Sequence, residues 1–161
     1  MSNRISAAIP LAALCGSAVM AQSGPEPDYL DDRSTPARVV ESLYNAIGRR
    51  EYLRAWSYFR DGAAKPFEVF RDGYADTISV DLRVGDVTGE GAAGSIHSAV
   101  PVALRAASRD GTETVFEGCY RLVQVQPAVQ ETPPFRPIQI EAGILRKTGT
   151  PFETAMGACE E

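Results

Sequence analysis

The hydrophobic period of this chain changes once, near residue 76. Before that point apolar residues recur at helical spacing; after it they alternate with polar ones. Helices first and strands afterwards argue for an α+β domain, with the helices packed on an antiparallel sheet. The helical part is densest at residues 41–59. This stretch carries the single tryptophan, Trp56, and reads as two amphipathic helices joined at Gly48.

The first helix has a clear start. Thr35 is a capping residue, and Pro36 suits the first helical position, where a missing N–H costs nothing. Val39, Val40, Leu43 and Ile47 share one face. Gly48 is placed to end the helix in a left-handed conformation. The second helix is predicted over residues 50–59, with Tyr52, Ala55, Trp56 and Phe59 on one side. A shorter third helix is predicted over 66–73, with Phe67 and Phe70 pointing together and Tyr74 at its end. Four strands follow, at about 78–84, 95–107, 113–125 and 138–145. Asp110-Gly111 marks a hairpin between the second and third. Residues 89–94 match G-x-G-x-x-G literally. A dinucleotide site needs a helix after those glycines, whereas residues 95–104 alternate with period two and contain Pro101. The glycines therefore read as a hairpin turn, and no cofactor is expected.

A chain of 161 residues is enough for one domain with a proper core. Its formal charge of −5 argues against nucleic acid, whose phosphates need clustered Lys and Arg. The first residues look like an export signal: Arg4, then an uncharged apolar run over 5–19, with small or tolerated residues up to Ala21. The run contains Pro10 and is shorter than the roughly 20 residues that span a bilayer. Residues 1–21 are therefore expected to be removed, leaving no membrane span, in a periplasmic or secreted protein of Gram-negative-type export. Lipid attachment at Cys15 is disfavoured by bulky Leu14 before it. Residues 22–34, with Pro25, Pro27, Asp28, Asp31 and Asp32, read as a flexible lead-in rather than a metal cluster. Residues 35–161 form the single domain. Cys119 and Cys159 remain as an even pair, and in an exported protein this suggests a disulfide tying the C-terminal tail to a central strand. Two free thiols are the alternative.

Candidate chemistry is sparse. His97 is the only histidine, the residue type whose ordinary pKa lies nearest working pH and so suits a general base. In the strand register it faces away from Ile96, Val100 and Val102. Asp76 and Asp81 lie near the first strand and could act as an acid or base; Asp81 with Tyr120 or Tyr44 can be forced into a paired acid–base role but matches no motif residue by residue. No nucleophile motif such as G-x-S-x-G accompanies them, and no metal site is expected. Trp56, Phe59 and Phe70 read as core. Tyr44, Phe67, Tyr74 and Tyr120 are the residues expected to line a ligand pocket, because a hydroxyl or a helix-end position suits a wet rim.

Helix order, the segment Tyr44-Asn45-Ala46-Ile47-Gly48-Arg49-Arg50-Glu51-Tyr52-Leu53-Arg54-Ala55-Trp56, and the later Gly73-Tyr74-Ala75-Asp76-Thr77, Gly118-Cys119-Tyr120 and Pro133-Pro134-Phe135-Arg136-Pro137 together resemble the nuclear transport factor 2-like superfamily, in particular its uncharacterised exported bacterial members. The resemblance covers about residues 35–147. It implies three helices packed on a strongly curved antiparallel sheet of about four strands, forming a cone with a pocket at its wide end. Its members include ketosteroid isomerases, scytalone dehydratase and limonene epoxide hydrolase as well as non-enzymatic binders, so the fold alone licenses no activity. The sequence leans away from catalysis. The expected role is binding of a small apolar or amphipathic ligand, or of an envelope partner. Two alternatives stand beside it: an isomerase or hydratase-like lyase using His97 or Asp81, and a module that homodimerises through the outer face of its sheet.

Overall fold

The computed structural model describes residues 26–159; the expected export signal and Cys15 lie outside them. Three helices, α1 (Pro36–Gly48), α2 (Tyr52–Trp56) and α3 (Phe67–Asp72), precede five strands. The strands are β1 (Thr77–Val84), β2 (Thr88–Ala92), β3 (Ser95–Ser108), β4 (Glu113–Val125) and β5 (Gln139–Thr148). They form one open antiparallel sheet in the order β1-β3-β4-β5, with β2 also paired to β3. Among the described residues no helix is long and apolar enough to cross a membrane.

The sequence's α+β reading holds, with several differences. Five strands form where four are expected, because residues 88–92, inside the expected glycine turn, pair with Ser95–Ala99 as β2. All five residues of β2 are exposed, so main-chain bonding alone defines it and no side-chain pattern announces it. The left-handed residue after α1 is Arg50 (φ 59), not Gly48. The Arg50 and Glu51 amides turn back to the Ile47 and Ala46 carbonyls at 2.9 and 2.8 Å, which moves the turn two residues on. The start of α1 is as expected: Thr35 Oγ1 accepts from the Arg38 amide at 3.2 Å, and Pro36 opens the helix. α2 is one turn shorter than its apolar pattern.

The core lies between α1 and the inner face of the sheet. Val39, Val40, Leu43 and Ile47 of α1 pack there with Val100, Val102 and Leu104 of β3, Leu122 of β4 and Ile140 of β5, all buried. Phe59 and Phe70 pack against this core as expected. Trp56 does not join it. Its indole N–H donates to the Lys65 carbonyl at 3.0 Å, and its ring meets Phe67 edge-on at the surface.

The C-terminal tail covers part of the sheet's other face. Arg83 of β1 donates to the Phe152 and Ala155 carbonyls at 2.7 and 3.0 Å. Arg105 of β3 lies 4.8 Å above the Phe152 ring. Ala155 is buried. The Gly157 amide reaches the Val102 carbonyl at 3.1 Å, and Cys159 is bonded to Cys119 of β4. The sheet is thus packed by helices on one face and by the tail on the other.

Candidate functional site

Tyr44, Tyr74 and Tyr120 come together, but as core rather than as the rim of an open pocket. α1 aims Tyr44 at the sheet, and the β4 alternation puts Tyr120 inward beside Leu122. Both are buried, and their hydroxyls share a hydrogen bond of 2.6 Å. The rings meet edge-on with centroids 6.2 Å apart. Tyr74 is half-buried against Phe70 and stacked on Tyr52. Phe67 lies apart from the three, on Trp56.

Burial, and then the nearby Tyr120 oxygen, push the Tyr44 hydroxyl well above an ordinary tyrosine; burial likewise raises Tyr120. An unfolded tyrosine ionises near pH 10, and this pair resists ionisation until higher pH. The pair's contribution to stability is therefore whole below about pH 10 and is lost as pH rises through the folded values. Tyr44→Phe is expected to cost about 1–2 kcal/mol, because it strands the buried Tyr120 hydroxyl. The double change with Tyr120→Phe is expected to cost less than the two single changes summed, and to move alkaline unfolding to higher pH. Urea titrations at neutral pH and a pH titration of the fold check both points.

The two acid–base candidates are drawn into surface polar contacts. Asp81 projects from the outer face of β1, with its side chain about half exposed, and accepts from Arg105 Nη2 at 2.6 Å. It helps hold Arg105 over the tail. His97 Nδ1 lies 3.2 Å from Glu141 Oε2, and the other oxygen of that carboxylate takes Arg60 at 2.6 Å. His97 faces away from Val100 and Val102, as the alternation predicts, and is half exposed.

A cleft of about 220 Å³ lies on the outer face of β4 and β5, beside the tail. Glu117, Gly118, Cys119 and Arg121 line it from β4; Ala142, Ile144 and Arg146 from β5; Gly157 and Ala158 from the tail. Tyr44, Phe67, Tyr74, Tyr120, His97 and Asp81 are not among these residues. Its floor is apolar, made by Ala142, Ile144 and the two glycines, and Arg121, Arg146 and Glu117 supply charge around it. Ile144 stands directly opposite Cys119 in the ladder and is 61% exposed. An isoleucine on a wet face is the one signal in the sequence that could have pointed here, and it becomes legible only once the β4–β5 register is known. Among the described residues no group of His, Cys, Asp and Glu is placed to hold a metal.

Neither the family models nor the curated proteins compared with this chain give a match.

Proposed function

We propose that this chain is an exported periplasmic protein of the nuclear transport factor 2-like fold that binds a small amphipathic molecule without transforming it. The order of three helices and then long antiparallel strands, with the helices on one face, supports the fold. The apolar run after Arg4 and the disulfide between Cys119 and Cys159 support export, since such bonds persist in oxidising compartments.

The observation that carries the binding reading is the cleft beside the disulfide. It sets apolar Ala142 and Ile144 beside charged Glu117, Arg121 and Arg146, so a ligand with an apolar part and a polar end would meet a partner for each. At about 220 Å³ it suits a compact ligand, with its apolar part over Ile144 and Ala142 and its polar end toward Arg146. The lyase alternative has less support, because His97, against Glu141, and Asp81, paired with Arg105, each sit in an exposed contact away from this cleft. The homodimer alternative would need the outer sheet face, part of which the tail occupies.

The test is native mass spectrometry of protein recovered from the periplasm, before and after denaturation. The expected result is an added mass of one small molecule that denaturation removes and that Ile144→Glu abolishes. A clean native mass with no thermal shift across a panel of small amphipathic acids would overturn the reading. So would an adduct that Ile144→Glu leaves in place.

A further inference from the structure

Residues 26–34 enter no helix or strand. The sequence reads them as part of a flexible lead-in, yet they lie along α1 and α2, gripped by helix side chains that bond to their main chain. Arg49 Nη1 donates to the Pro27 carbonyl at 2.7 Å. Asn45 donates from Nδ2 to the Asp28 carbonyl at 2.6 Å and accepts the Leu30 amide on Oδ1 at 3.0 Å. Arg54 Nη1 donates to the Leu30 carbonyl at 2.6 Å. Ser42 Oγ accepts the Asp32 amide at 2.8 Å and donates to the Asp32 carbonyl at 3.2 Å. Asn45 thus reads a carbonyl and an amide two residues apart, as a neighbouring strand would.

The gripping residues are held in place by one another. Glu51 takes Arg49 Nε on one oxygen and Arg54 Nε on the other. Arg54 Nη2 returns to Asn45 Oδ1 at 2.9 Å. Ser42 is fully buried with the segment in place. The segment, by contrast, buries little of itself: Tyr29 is 61% exposed and Leu30 only half-buried. Its own side chains make polar or charged contacts. Glu26 pairs with Arg49 at 2.9 Å, the Tyr29 ring lies 4.6 Å from Arg54 and 5.6 Å from Arg49, and Asp31 accepts from the Tyr58 hydroxyl at 2.8 Å.

An element of the core is held by buried apolar side chains. A segment held by its backbone and by polar side-chain contacts, with little apolar burial, is held as a bound peptide is. We propose that the α1–α2 groove is a binding site for an extended acidic peptide of another protein, and that residues 26–34 are its occupant in cis. Asn45 and Ser42 select an extended backbone. Arg49 and Tyr58 select acidic side chains at the positions of Glu26 and Asp31, and Arg54 an aromatic ring between them. The cis segment is tethered at an effective concentration on the order of millimolar, so a partner gains entry as the segment's own hold weakens. This inference stands apart from the ligand cleft, which lies on the opposite face of the sheet.

The probe is a fluorescent peptide with the sequence of residues 26–34, followed by anisotropy against the full chain. Wild-type protein is expected to bind it at least about tenfold more weakly than the double variant Leu30→Pro, Asp32→Pro, whose own segment lacks the two amides that Asn45 and Ser42 hold while the groove is intact. The same peptide N-methylated at the Leu30 and Asp32 positions lacks the amides that Asn45 and Ser42 read, and is expected to lose at least about tenfold in affinity. A folded double variant that does not bind the peptide would overturn the proposal. So would a double variant that unfolds and is not restored by millimolar peptide, since the segment would then be an ordinary part of the fold. A wild-type dimer that free peptide dissociates, seen by light scattering, would assign the groove to a second copy of the chain and overturn the partner.

Discussion

Adding one methyl group at Gly118 is expected to destabilise this protein by about 3–5 kcal/mol, near the upper end of what a single substitution does. A Cβ there would stand 1.9 Å from the Ile144 carbonyl oxygen and 2.9 Å from the Ile144 carbonyl carbon and Leu145 Cα. All three atoms belong to the backbone of β5, which is bonded to β4 on this stretch. No side chain can rotate away to make room, so the ladder itself must open. The tail crosses the same point: a Cβ on Gly157 would lie 1.9 Å from the Gly118 oxygen. Gly91→Ala is the control, because a methyl there meets nothing within 4 Å. Urea unfolding of both variants checks the expectation, and a Gly118→Ala midpoint equal to that of Gly91→Ala would refute it.

Loss of the Cys119–Cys159 bond ranks second. The two residues are 40 apart in sequence, and closing a loop of that size in the unfolded chain stabilises the fold by about 4 kcal/mol on the chain-entropy account. In a domain of this size that corresponds to a fall in melting temperature on the order of 10 °C. The paired change Cys119→Ser, Cys159→Ser and reduction of the wild type are expected to act alike. Release of the tail also frees the carbonyls that Arg83 holds. Limited proteolysis should then cut within residues 149–158 before it cuts the sheet. Equal urea midpoints with and without reductant would show that the bond contributes nothing to stability.

What could be read from the sequence is what burial writes into it. Val39, Val40, Leu43 and Ile47 must share a helix face to reach the sheet, so their spacing predicts α1, and Thr35-Pro36 marks its start. Val100, Val102 and Leu104 must point inward from β3, so their alternation predicts that strand and the outward face of His97. Main-chain interactions leave no such trace. β2 is built of glycine, alanine and exposed polar residues, and nothing but its ladder to β3 identifies it. The segment at 26–34 is held through its carbonyls and amides, which every sequence has. The same limit applies to the candidate sites. Tyr44, Tyr74 and Tyr120 stand out as aromatic residues with hydroxyls, but whether such a group faces a cavity or another hydroxyl depends on how α1 sits over β4. The cleft draws on residues of β4, β5 and the tail, and only their register brings Ile144 beside Cys119.

The placement of the tail also sets an order in time. Cys159 comes after every strand in the chain, so when β3 and β4 first pair, the thiol of Cys119 has no mate and the far side of the sheet is bare. Domains emerging from a membrane or a ribosome begin to collapse before their last residues appear. In this protein the helix-facing layer can form early, whereas the opposite layer waits for the final segment and for an oxidant. Closing the disulfide is therefore also what fixes the tail beside the cleft, and a chain that is complete but still reduced has its core without that wall secured.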